Sequence, residues 1–205
     1  MKKILILSTL KLVIGGIIIG VFHQYDLVLA IVLGLKIIHS IYSSVKNNTY
    51  SPIFVAGLVF TGLMGVLVEH LGTTYNHWEY HDVTSQVPKW LFFGWAGAFV
   101  LMYRIEVQIY TQFPNLSNAT RNSLILLMAL FFPALGEMIA INLGTWTYFW
   151  PYQLFGVPLL AIVGLTFIHY FTHVAFSFIS KKLGIKDVVF NPIQPLTVIN
   201  IENKH

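Results

Sequence analysis

Val68–Trp90 reads VEHLGTTYNHWEYHDVTSQVPKW, and Gly136–Leu160 reads GEMIAINLGTWTYFWPYQLFGVPLL. Glu69, Trp78 and Tyr80 of the first stretch recur as Glu137, Trp146 and Tyr148 of the second, each displaced by 68 residues. Each stretch is the end of an apolar helix bearing a Glu, then an aromatic loop, a Pro, and the start of another apolar helix. The spacing predicts an internal repeat, with copies over about 53–110 and 124–179. Both copies run in the same direction through a membrane, so a pseudo-twofold axis along the membrane normal would relate them; parallel repeats of this kind occur in transporters.

Outward from these stretches the chain is apolar nearly throughout. Of 205 residues 56% are hydrophobic, 15% aromatic and 10% charged. A soluble domain carries about 25% charged residues, so composition argues for one integral membrane domain over 1–205. Six stretches reach the ~20 residues a membrane-crossing helix needs: Ile4–Phe22, Leu27–Val45, Ile53–Leu71, Trp90–Tyr110, Leu124–Leu143 and Val157–Ile179. The expected fold is therefore an all-α polytopic membrane bundle of about six transmembrane helices with an internal parallel repeat. Met-Lys-Lys before the first apolar run lacks a small-residue cleavage site after it, so a retained helix is expected rather than a removed signal.

Charge sets the expected orientation. Lys2, Lys3, Lys46, Arg121, Lys181, Lys182, Lys186 and Lys204 flank one side, and the opposite loops hold only Lys89. By the positive-inside rule both termini are cytoplasmic, as in a bacterial inner-membrane protein, and 181–205 is a tail on the cytoplasmic membrane surface. The net charge of +4 is spread over helix ends rather than over one face, which points away from nucleic acid. There is no cysteine, hence no disulfide, thiolate metal site or Cys nucleophile.

Glu69 and Glu137 are the candidate catalytic residues. Glu137 lies seven residues, about 10 Å, from the helix end near Gly144. An intramembrane carboxyl is costly and marks a functional site by default, here a candidate proton donor. The alternative is a structural hydrogen bond pinning helices together. Trp78, Tyr80, Trp146 and Tyr148 are candidate substrate-binding residues whose ring faces can stabilise a cation; equally, Trp and Tyr gather in interfacial belts. His70, beside Glu69, and Asn142, one turn beyond Glu137, complete the candidate set. His169 and His173 share a helix face at a spacing that suits one metal ion, and His77 and His81 have the same spacing in the first loop. Bundle-facing histidines bonded to neighbours such as Tyr170 or Asn142 are the plainer reading. Arg104 and Glu106 are expected to snorkel to the interface, and the isolated glycines to serve helix packing.

The second stretch resembles a segment of small membrane enzymes of carotenoid biosynthesis. Heterodimeric-type lycopene cyclases place an acidic residue before Gly-x-Trp-x-Tyr, and carotenoid 1,2-hydratases place a Glu before an aromatic loop that ends in Gly-Val-Pro. The matching residues are Glu137, Gly144, Trp146, Tyr148, Gly156, Val157 and Pro158, with Glu69, Gly72, Trp78, Tyr80 and Pro88 in the first copy. The cyclases' Pro-x-Glu-Glu pair and the hydratases' Phe-Gly-x-Tyr pattern have no counterpart here. The resemblance implies an enzyme, a lyase or isomerase, that takes a hydrophobic polyisoprenoid or carotenoid from the bilayer. It would protonate a C=C bond, followed by hydration or cyclisation, with no cofactor. Two other classes stay open. One is a small proton-coupled carrier, which at this size would need to be a homodimer; the other is a scaffold whose acids pin helices.

Overall fold

A computed structural model describes residues 2–47 and 50–192. Among them six helices follow in order: α1 (Lys2–Phe22), α2 (Asp26–Lys46), α3 (Pro52–Thr74), α4 (Leu91–Gln112), α5 (Asn118–Asn142) and α6 (Leu159–Lys182). Each falls on one expected span. α5 begins about two turns early because Ser117 caps it, its Oγ accepting from the Thr120 amide at 3.1 Å; the polar run Asn118–Ser123 is helical without being apolar.

Five of the six, all but α4, are long and apolar enough to cross a membrane. The sixth expected stretch, α4, is equally long but carries Arg104 and Glu106 and is less apolar than the other five. The physical reason is its position. α4 packs against α1, α2, α3 and α5, so it faces protein where the other helices face outward. Around it the usual polarity is inverted, and Leu27, Val28, Leu35, Ile38, Val163 and Phe167 point out, each more than half exposed. A surface of this kind suits lipid and not water.

Short strands sit at one end of the bundle, hereafter the strand end. β1 (Trp78–Tyr80) follows α3, and β2 (Trp146–Tyr148) follows α5. They pair antiparallel, with Trp78 opposite Tyr148, Glu79 opposite Thr147 and Tyr80 opposite Trp146. β3 (Gln153–Leu154) and β4 (Val157–Pro158) form a hairpin whose two turn residues, Phe155 and Gly156, both have positive φ (48° and 86°), the conformation a tight two-residue turn requires. The α1–α2 turn lies at the same end. There Asp26 Oδ1 accepts from the backbone amides of Lys89 (2.7 Å) and Trp90 (3.3 Å), capping the start of α4, and His23 Nε2 lies 3.4 Å from an Asp82 carboxylate oxygen.

The opposite, basic end holds a further correction. The start of the expected surface tail, Leu183–Asn191, folds back into the bundle. Asp187 and Asn191 bridge each other, while Val189 (1% exposed) and Phe190 (2%) pack among Ile53, Phe54, Phe99 and Phe176. Three consecutive apolar residues, Val188–Phe190, would lie poorly on a wet interface; two of them gain burial by turning in. The tail beyond Pro192, with Pro195 and Lys204, lies outside the described residues.

Candidate functional site

At the strand end the two Glu and all five Trp come together. α3 carries Glu69 on the same face as Gly65 and Gly72, and that face meets α4 and β1. A Cβ on Gly65 would lie 2.1 Å from Trp95 Cγ, and one on Gly72 1.9 Å from Trp78 Cζ2. Glycine at these two places therefore lets indole rings lie directly on the helix backbone, beside the carboxyl.

The buried Glu69 carboxyl accepts three hydrogen bonds. Its Oε2 takes Trp78 Nε1 at 2.7 Å and Tyr80 OH at 2.8 Å, and its Oε1 takes Trp95 Nε1 at 3.3 Å. Indole N–H groups can only donate, so this pocket is fitted to an acceptor. Glu137, half-buried on α5, receives one bond, from Tyr148 OH at 3.1 Å. Burial first, and then the charge of the neighbouring Glu, hold the Tyr80 and Tyr148 phenols well above the ordinary tyrosine range, so both remain donors.

Aromatic rings surround these carboxyls. Trp78 meets Tyr148 and Trp150 edge-on at 5.3 and 5.5 Å, Tyr80 meets Trp146 at 5.6 Å and Trp90 at 6.2 Å, and Tyr148 stacks on Trp150 at 6.1 Å. Trp78, Trp90, Trp95 and Trp146 are buried. Trp78 and Trp95 donate to Glu69, while Trp90 and Trp146 pack against the Tyr80 ring.

Two members of the candidate set lie elsewhere. His70 is exposed; α3 turns its side chain away from Glu69, and only its carbonyl is engaged, by Thr73 and Thr74. Asn142 is also exposed, and its amide donates to the Met138 and Phe155 carbonyls at 2.7 and 3.0 Å instead of reaching Glu137. It ties α5 to the β3–β4 turn.

The histidines divide. His77 Nδ1 accepts from Trp150 Nε1 at 3.1 Å, and His81 bonds the Gly144 carbonyl and the Thr147 hydroxyl, so both serve the junction between the two loops. His173 is buried against Glu106, Nδ1 to Oε2 2.7 Å, and the expectation that Glu106 snorkels is overturned: it faces α6 in the interior. Arg104 likewise turns inward to Ser40 Oγ at 3.3 Å. His169 stacks on Trp95 at 6.3 Å rather than bonding Tyr170 or Asn142, and its Nε2 is buried without a partner. A cavity of about 10 Å³ lies between His169, His173 and Glu106, near the size of one water. Among the described residues no three His, Asp or Glu side chains are grouped so as to hold a metal ion. The Glu106–His173 bond and the capping role of Asp26 were missed in the sequence. Both join residues more than sixty positions apart, and no local spacing announces them.

The chain matches no family model, no curated protein and no solved structure. The carotenoid-enzyme resemblance therefore rests on the motif residues alone, and the chemistry has to be argued from the carboxyls and rings.

Proposed function

We propose that the chain is a membrane enzyme that protonates a C=C bond of a polyisoprenoid lipid drawn from the bilayer. The observation that carries this reading is the contrast between two neighbouring carboxyls within one aromatic cluster. Glu69 is saturated by three donors, and Glu137 receives a single bond. A carboxyl with free capacity can give up and take back a proton, whereas one held by indole N–H groups acts as a fixed charge.

In this mechanism Glu137 transfers its proton to the less substituted carbon of a terminal trisubstituted alkene. The π pair forms the new C–H bond, and a tertiary carbocation remains. The Trp and Tyr faces, together with the Glu69 carboxylate, stabilise that cation. Water captures it with a lone pair and returns a proton to Glu137, which gives a tertiary alcohol; a neighbouring alkene capturing it, followed by proton loss to Glu137, gives a ring.

The six-span topology and the repeat belong to the same proposal. The β1–β2 register places each copy's Trp opposite the other's Tyr about the Glu79–Thr147 pair, as a local twofold axis requires. In each copy the Tyr eleven residues after the Glu bonds that Glu, at 2.8 and 3.1 Å. α4, flanked by neighbours, would complete the sixth crossing. Basic residues at one end support an inner-membrane protein with cytoplasmic termini.

A second reading, a proton-coupled carrier, is favoured by one observation: the buried Glu106–His173 pair continues the ionisable groups toward the other end. Expression in a lycopene-accumulating host, with mass spectrometry of the pigments, tests the first reading. Water addition raises the product mass by about 18 units, and cyclisation gives an isobaric product with a shifted absorption spectrum; either is lost in Glu137→Gln. Unchanged pigment, with Glu137-dependent proton uptake into proteoliposomes, would establish the carrier instead.

A further inference from the structure

At the basic end a cavity of about 1430 Å³ opens between the ends of α4 and α6, the first turn of α5 and the folded-back segment after α6. We propose that it binds the phosphate headgroup of an anionic membrane lipid. The inference is independent of the chemistry at the Glu pair, which lies at the other end of the bundle.

Three cationic side chains line the cavity: Arg121, Lys181 and Lys186. Arg121 is held in place, its guanidinium 4.7 Å from the centroid of the Tyr110 ring and one Nη donating to the Pro114 carbonyl. Its Nε is buried and has no partner, a donor that lacks an acceptor. The carboxylate that also lines the space, Asp187, is committed elsewhere. Its Oδ2 accepts from Tyr103 OH at 3.0 Å, and its Oδ1 from the Val189 and Phe190 amides at 2.8 and 3.0 Å. Among the described residues no acid pairs with any of the three cations.

The first turn of α5 opens on the same space through Asn118 and Asn122, adding the positive end of a 25-residue helix. Three cations and a helix N-terminus around one cavity together select a compact anion with several acceptor oxygens, which describes a phosphate. The apolar part of the wall identifies the source. Val174 and Phe178, on α6, line the cavity and are 48% and 66% exposed, so an acyl or prenyl chain attached to the phosphate can leave along them into the bilayer. Basic pockets between transmembrane helices bind anionic headgroups in this way.

Native mass spectrometry of the full chain in neutral detergent, with equimolar phosphatidic acid and phosphatidylcholine, tests the proposal. Phosphatidic acid is expected to form the dominant adduct. Its retention should fall about tenfold in Arg121→Gln and in the Lys181→Gln/Lys186→Gln double variant, the loss that follows when a charged hydrogen-bond partner is removed. Arg121→Lys should keep part of it. Lys46→Gln/Lys182→Gln, basic residues at the same end that do not line the cavity, should keep it whole. Excess inorganic phosphate that strips the lipid completely would show that the headgroup alone is read and that a soluble phosphate can fill the site. Equal adducts with both lipids, or equal loss in the Lys46/Lys182 control, would overturn the proposal in favour of diffuse surface charge. Elution volume in size exclusion confirms that each variant compared is folded.

Discussion

Glu69 and Glu137 occupy equivalent places, yet their neighbours give them different work. Replacing Glu137 by Gln removes the transferable proton and leaves the Tyr148 donor an amide oxygen to bond, so the protein should stay folded while turnover falls by about 10²–10⁴-fold. Glu69→Gln leaves a single acceptor oxygen for three donors, and at least one buried indole N–H loses its partner. That variant should lose about 1–3 kcal/mol of stability, read as a lower unfolding midpoint in detergent. If Glu137→Gln keeps full turnover on a substrate the wild type converts, the acid is not Glu137. The glycines obey a similar local logic. Gly65→Ala and Gly72→Ala drive a methyl into Trp95 and Trp78 and should each cost about 1–3 kcal/mol. In Gly97→Ala, on α4, the new Cβ meets nothing within 4 Å, so the variant should be neutral or more stable.

At the scale of elements, the β1–β2 ribbon is held by phenols that must remain protonated. Burial and the adjacent Glu charge raise Tyr80 and Tyr148 well above the ordinary value of about 10. As pH rises past 10 the unfolded chain therefore loses these protons before the folded one does. The ribbon's contribution is whole below about pH 10 and declines above it. Unfolding midpoints followed by tryptophan fluorescence from pH 8 to 11 should fall at the alkaline end, and Tyr80→Phe/Tyr148→Phe should flatten the fall. A double variant with the same alkaline slope as the wild type would refute the assignment. The elements themselves were largely legible in the sequence, because membrane helices announce themselves by unbroken apolar length and the Glu–Trp–Tyr recurrence marked the loops. What escaped was set by contact across the chain. The lower apolarity of α4, with Arg104 and Glu106, is written in its sequence, but the partners that take these side chains in are not, and the inward turn of Val189 and Phe190 depends on the pocket among Ile53, Phe54, Phe99 and Phe176. His70 and Asn142 sat beside the right residues in sequence and on the wrong faces of their helices.

At the scale of the whole molecule, apolar residues cover most of the outside, and most ionisable ones are drawn in or gathered at the ends; Lys11 and Lys36, exposed midway along α1 and α2, depart from this pattern. Asp26, Glu69, Glu106, His169, His173 and Asp187 are all buried, while α1, α2 and α6 present exposed Leu, Ile, Val and Phe. Each buried group except His169 has a hydrogen-bond partner, and most such bonds tie one helix or turn to another, so the polar groups join elements that lipid alone would not order. The fold itself puts the α1–α2 turn and both strand loops at one end, and the α2–α3 turn, the α4–α5 turn and the end of α6 at the other. Only that second end concentrates Lys and Arg, so the positive-inside rule makes a single orientation consistent with every loop at once. A reporter fused after Lys182 should therefore read cytoplasmic, and one inserted at the exposed Thr84 should read external. The opposite pattern would place the Glu pair near the cytoplasmic face and the phosphate cavity on the external leaflet. If both positions read on the same side, an even number of crossings lies between them: α4 would not span, and the sixth crossing would be lost.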